Sequence, residues 1–383
     1  MIKTYLWLAI LSITIISCNK NESVHQNFIY TDFQINIYDS ISVNSLGEIL
    51  LTDYNPNTEL ITGYDIYKEI NVILNKNGEI VSSFDRQYFD NEGYGNRFGG
   101  SSFYSDSSLM ILGVKGYYEY DFNGNLLSYM THPFANKTLP LNFKFNLIKL
   151  EKKSTNYIIG MTGPNNMRSA NDPDFYKEMR WVSITDYNNN SYIATLKYEK
   201  NSLYLDGNSY YYKAPIMTYS KQDETIIVVY PYDLSIYLYE FDSERSQLAL
   251  INTQDTRPDF FGQNEYLSLL DRENDSDRTR ELLNTNSFYS NIFVTDSLII
   301  LEYETRKQTS AGGIQNSSYE NDKPAKKYLQ FFTMEGKVAK DIELPAESNR
   351  TAYVFDDGEI WLRKETITEE DQITFYKARL ISR

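Results

Sequence analysis

The sequence predicts an all-β protein: a six-bladed β-propeller of four-stranded antiparallel blades, its ring closed by an N-terminal strand. Three observations point there. The 383 residues include 34 Tyr and 20 Phe, side chains that suit a pleated, half-buried surface. Extended helical periodicity is scarce, whereas apolar runs of strand length recur, each ended by Asn, Asp, Gly or Ser. The runs group into four-stranded units spaced roughly 45 to 70 residues apart, the sequence signature of propeller blades.

The first element, residues 1 to 17, reads as an export signal. Lys3 supplies the basic start, Tyr5 to Ile16 the apolar stretch, and Ser17 the small residue before the cut. The run falls short of the about 20 residues that cross a bilayer core. Its end, Ile15-Ile16-Ser17-Cys18, resembles a bacterial lipobox. That resemblance implies a diacylglyceryl group on the Cys18 sulfur, cleavage before it, and a mature protein held to the membrane through its N-terminal lipid. Residues 18 to 27 are polar and aperiodic, as in a flexible tether. Lys20 and Glu22, just beyond the cysteine, resemble the tags that send some Gram-negative lipoproteins to the outer face of the outer membrane. The expected location is therefore the cell envelope, as an outer-membrane lipoprotein exposed at the surface. Cys18 is the only cysteine, so no intramolecular disulfide is expected and the folded part relies on its core.

Residues 28 to 383 are expected to form the propeller. FIYTDFQINIY (28 to 38) has no hairpin of its own and is expected to pair beside the C-terminal strand in the sixth blade, hiding two edges. Each blade then opens on a strand, a polar turn and a strongly apolar strand: SVNSLGEILLTDY (42 to 54), FYSDSSLMILGV (103 to 114), LEKKSTNYIIGMTG (150 to 163), YSKQDETIIVVYPY (219 to 232), FVTDSLIILEYE (293 to 304) and YVFDDGEIWLRKE (353 to 365). A second hairpin follows each: INVILNKNGEIVSSF (70 to 84), YYEYDFNGNLLSYM (117 to 130), RWVSITDYNNNSYIATLKY (180 to 198), SIYLYEFDSERSQLALI (235 to 251), YLQFFTMEGKVAKDIEL (328 to 344) and ITEEDQITFYKARLI (367 to 381). Asn77-Gly78 and Asn123-Gly124 supply the positive φ angles that tight hairpin turns need. Two short stretches read as helix: DPDFYKEM (172 to 179), with Asp172 as cap and Pro173 in the first turn, and part of 264 to 284. Both fall between repeats, whereas an α/β barrel needs a helix after every strand. A pair of β-sandwiches would use the same strand chemistry, but the four-strand rhythm argues for a propeller.

The phrases ILNKNGEIVSSFDRQ (73 to 87), YEYDFNGNLLSY (118 to 129) and FFTMEGKVAKDIELP (331 to 345) follow a lipobox and resemble a blade pattern of strand, Asp/Asn-x-x-Gly turn and apolar strand. In this the chain resembles the six-bladed, TolB-like propeller lipoproteins of Gram-negative bacteria. Most such proteins have no assigned activity, so the resemblance implies a place and a shape rather than a reaction. At the exit of blade one, Phe84-Asp85-Arg86 leads into YFDNEGYGNRFGG (88 to 100), which departs from the Gly-Pro-Gly-Glu-like turn of related propellers.

Formal net charge is −15, from 37 basic and 52 acidic residues. Such a surface repels nucleic acid, so no nucleic-acid partner is expected. His25 in the tether and His132 in a loop make no Ser-His-Asp set. One lipidated cysteine and two separated histidines give no zinc, haem or iron–sulfur ligand set. The Gly-Gly pairs at 99 to 100 and 312 to 313 lack a phosphate-cradling context. No catalytic residue and no cofactor is named. Asp271, Glu273, Asp275 and Asp277 alternate as calcium ligands do, but the glycine of an EF-hand loop is missing and Arg272, Arg278 and Arg280 neutralise the segment. A solvated loop describes it better. Asp53, Asn55, Asn57 and Glu59 have similar spacing within a turn rich in Asn and Pro.

Tyr210, Tyr211 and Tyr212, and Tyr117, Tyr118 and Tyr120, offer flat faces for sugar rings, yet packing on the neighbouring blade explains them more simply. The long inserted segments 258 to 288 and 305 to 327, the second carrying Lys307 and Lys323, are the expected partner-binding loops. The expected function is thus a lipid-anchored, non-catalytic protein-interaction module of the cell envelope. A glycan or peptide ligand at the Tyr-rich face or central channel is the alternative, and an enzyme acting on an extracellular polymer is a third reading.

Overall fold

Thr225–Val229 reads TIIVV and is buried along its whole length. A strand that is apolar on both faces needs packed layers on both sides. The computed structural model meets that need with six antiparallel sheets. It describes residues 32–87, 92–95, 97–113, 115–131, 147–161, 174–189, 191–208, 210, 214–262, 264–268, 278, 282, 286–305, 326–365 and 372–382.

The first strand, β1 (Phe33–Asn44), belongs to the last sheet. Blade one holds β2 (Ile49–Asn55), β3 (Leu60–Asp65), β4 (Ile70–Asn75) and β5 (Ile80–Phe84). Blade two holds β6 (Arg97–Ser105), β7 (Ser108–Gly113), β8 (Gly116–Asp121) and β9 (Leu126–Thr131). Blade three is β10 (Ile148–Lys152), β11 (Thr155–Met161), β12 (Val182–Asp186) and β13 (Ser191–Thr195). Blade four is β14 (Ile216–Ser220), β15 (Thr225–Val229), β16 (Ser235–Asp242) and β17 (Gln247–Asp255). In blade five, β18 (Phe288–Val294), β19 (Ile299–Thr305) and β20 (Lys326–Thr333) are followed by a broken outer strand, β21 (Gly336–Lys337) and β22 (Ile342–Glu343), both pieces pairing with β20. Blade six is β23 (Ser348–Val354), β24 (Glu359–Lys364) and β25 (Gln372–Ser382), with β1 as its outer strand.

The ring therefore closes as the sequence suggests, through a strand from the N-terminal end. β1 pairs antiparallel with β25 from Phe33 opposite Ser382 to Asn44 opposite Gln372. Two expectations need correction. The closing strand runs beyond residue 38, so Ser42 to Asn44 pair with β25 rather than with the apolar strand of the expected hairpin at 42 to 54. The stretch 367 to 381 is not a hairpin in its described part; β25 is one long strand whose outer partner comes from the other end of the chain. One cause underlies both. Joining the two ends of the chain in one sheet covers the edges of both β1 and β25.

Six apolar clusters mark the six blade interfaces, and they close on themselves. Phe84 of blade one meets Tyr94, Leu109 and Tyr120 near blade two. Trp361 and Phe375 of blade six meet Ile49, Val72 and Leu74 of blade one. Alternation within each strand serves both sides: Val72 and Leu74 face blade six while Ile73 faces blade two. This is why the inner strands read as continuous apolar runs rather than as alternating ones.

Antiparallel order also sorts the connections. Turns that join first to second strands and third to fourth strands lie at one face, and each spans only two to four residues between strand ends. The long connections, from β11 to β12, β13 to β14, β17 to β18 and β19 to β20, start and end at the opposite face. β1 begins at the rim of the short-turn face, opposite the end of β25. The helix expected over 172 to 179 is a single turn, α1 (Phe175–Glu178), on the connection from β11 to β12. It begins after Asp174, whose side chain makes no capping hydrogen bond; Asp172 and Pro173 lie outside the described residues.

Candidate functional site in the central channel

The first strands of all six blades line one channel of about 450 Å³. Several of its polar side chains are already engaged. Asn55 and Asn57 both donate through Nδ2 to Asp106 Oδ1, at 3.0 and 3.1 Å. Lys149 Nζ donates to the Tyr104 carbonyl at 3.0 Å and sits 4.0 Å from the centre of that ring. Arg350 pairs with Glu48. Ser105 and Ser108 share a 2.7 Å hydrogen bond.

What remains is a small set near the short-turn mouth. Asp53, near the end of β2, accepts from the backbone N–H of Tyr54 at 2.9 Å and from that of Phe103, on the first strand of blade two, at 2.8 Å. Burial in the channel wall pushes its pKa up to about 6, against the pull of these two donors and of Lys221, with Asp356 adding to the rise. Asp356 is also raised, chiefly by burial, with Lys221 opposing and Asp296 contributing. Burial, then the charges of Asp53 and Asp356, hold the Tyr353 phenol well above its ordinary value. Among the described residues, Asp53, Asp356 and Lys221 form no ion pair. Thr351, also in the channel wall, has its backbone N–H bonded to Glu302 at 2.6 Å, yet its Oγ1 is buried, at 1% residue exposure, with no hydrogen-bond partner among the described residues.

Of the residues singled out from sequence, Cys18, His25, His132, Tyr211, Tyr212, Lys307, Lys323 and the acidic run Asp271, Glu273, Asp275 and Asp277 lie outside the described residues. Asp53, Asn55, Asn57 and Glu59 do not converge as a ligand set. Asn55 and Asn57 turn to Asp106, Glu59 takes a positive φ of 56° in the turn, and no group of three metal-binding side chains forms among the described residues. Tyr117, Tyr118, Tyr120 and Tyr210 are buried. Tyr117 shares a hydrogen bond with Ser183 at 3.2 Å and Tyr210 donates to Asp206 at 2.6 Å, so these rings pack rather than present faces to solvent. Lys221 and Asp356 were not singled out from sequence. Their signal was positional: each follows the first strand of its blade by one or two residues, so aligning the repeats on those strand ends brings them level with the end of β2.

No protein-family profile and no curated protein matches the chain. Among solved structures it is similar to a member of the DUF4221 family from Bacteroides vulgatus, with a TM-score of 0.66 and 11% identity over 92% of this chain and 100% of that one. It is also similar to a Bacteroides fragilis protein assigned to export, with a TM-score of 0.50 and 12% identity over 92% and 95% of the two chains. At such identities the likeness is one of fold.

Proposed function

We propose that the protein is a lipid-anchored, non-catalytic binding module of the cell envelope that takes a small polar ligand at the short-turn mouth of its channel. One observation carries the reading: Asp53, Asp356 and Lys221 share the wall of a channel of about 450 Å³ without ion-pair partners among the described residues. That volume lies within the roughly 300–1,000 Å³ of small-molecule sites. The lipobox-like Ile15-Ile16-Ser17-Cys18 supports anchorage and the TolB-like affiliation, and the fold shared with a protein assigned to export supports an envelope location. Equilibrium binding of glycan and peptide libraries to the full mature chain tests the site. Saturable binding by wild type should weaken sharply in Thr218→Trp, which obstructs the channel; unchanged binding by a folded Thr218→Trp overturns it.

A protein partner remains the second reading, on a different face. Leu46, Ile66 and Tyr67 are 53%, 39% and 71% exposed on two neighbouring connections of the long-loop face. In-cell cross-linking followed by mass spectrometry should link one abundant partner to that face. Cross-links confined to lipid and the protein's own blades overturn this second reading.

A further inference from the structure

We infer that the ligand of the channel mouth is a small zwitterion, a free amino acid or short peptide, whose ammonium meets Asp53 and Asp356 and whose carboxylate meets Lys221. The inference rests on the channel reading and narrows it to a ligand class. It follows from elimination. Asn55, Asn57, Asp106, Ser105, Lys149 and Arg350 already have partners within the protein, so they have least to offer a ligand. The charged groups left are two carboxylates and one ammonium.

A neutral sugar entering this mouth would strip water from three charges and return no opposite charge, a costly exchange. A simple anion would meet Lys221 but face Asp53 and Asp356; a simple cation would leave Lys221 unmatched. A molecule with an ammonium at one end and a carboxylate at the other pairs with every member of the set. Asp53 suits the ammonium for a further reason. Its two oxygens each accept one backbone N–H, which fixes the carboxylate in place while leaving lone pairs open towards the channel.

Calorimetric titration of the full mature chain with glycylglycine, N-acetyl-glycylglycine and glycylglycine amide tests this. Glycylglycine should bind saturably, and acetylation or amidation should each weaken binding roughly tenfold or more. In Asp53→Asn the penalty for acetylation should shrink, and in Lys221→Met, a change at an exposed position that spares the backbone hydrogen bonds, the penalty for amidation should shrink. Equal affinity for the three probes, or no binding by any, overturns the inference. If a neutral glycan instead binds saturably and Thr218→Trp weakens it sharply, the channel reading stands and the zwitterion falls. If Thr218→Trp binds every ligand as wild type does, the channel reading itself falls.

Discussion

At the scale of single residues, Asp53 shows how much a sequence conceals. Its spacing with Asn55, Asn57 and Glu59 suggested a turn with a faint likeness to a calcium loop, and the turn is real. Its role in the channel depends on Phe103, some fifty positions away, and on Lys221 and Asp356 from two other blades, which no local pattern reveals. The environment also makes a prediction. A carboxyl whose pKa rises on folding, here to about 6, stabilises the native state fully only below its unfolded value near 4. Between those values the unfolded chain releases its proton while the native state retains it, so stability falls as pH rises and levels off above about 6. Thermal melts should therefore show wild type losing about 1–2 kcal/mol relative to Asp53→Asn between pH 4 and pH 7, a figure discounted because the channel is open to solvent. A constant difference across that range would show that Asp53 titrates normally.

At the scale of elements, local hairpins were legible because their signals are local. Asp121 accepts from the backbone N–H of Asn123 and Asn125, and Gly124 takes a φ of 81°, so the sequence DFNG carries its own turn. Gly124 is needed twice over. A Cβ there would lie 2.7 Å from the Cβ of Phe84 on the previous blade, besides forcing an L-residue into a positive φ. Gly207, with φ of 93° and nothing within 4 Å of an added Cβ, carries the backbone cost alone. Denaturant unfolding should place Gly207→Ala at about 1 kcal/mol of destabilisation and Gly124→Ala at about 2–4 kcal/mol. Equal losses would mean that the turn does not press on blade one. The first and last repeats were misread for the opposite reason: the partner of β25 is more than 300 positions away, and a strand that long reads as a hairpin when its true neighbour is out of view. Deleting residues 33 to 44 should lower the melting temperature of the whole propeller in one transition. It removes Ile41 and Val43 from the interface with blade one and Phe33, Ile35 and Ile37 from that with blade five. An unchanged melt would mean that the ring does not depend on β1.

At the scale of the whole molecule, the closing strand decides more than stability. β1 starts at the rim of the short-turn face, so the segment from Cys18 to Asp32 joins the propeller there. If the segment up to Asp32 behaves as the polar tether expected over 18 to 27, its fifteen residues would span about 20 Å on average, whereas a compact unit of this size is about 50 Å across. A tether shorter than the body it holds biases that body's orientation. With Cys18 lipidated, the short-turn face and the mouth bearing Asp53 and Lys221 should lie nearer the bilayer, and the long connections should project away from it. The proposed functions would then divide by distance: a small ligand is taken beside the membrane, and a protein partner meets the outer face. Because Cys18 is the only cysteine, and a lipid on its sulfur would leave no free thiol, a new thiol at the exposed Ser297 or Leu46 can be labelled selectively with a fluorophore in the lipidated protein. In vesicles containing brominated lipid, the label at Ser297, on the short-turn face, should be quenched more strongly than the label at Leu46, on the long-loop face. Equal quenching would mean that the tether leaves orientation free. The reverse order would place the channel mouth away from the membrane and remove the basis for that division.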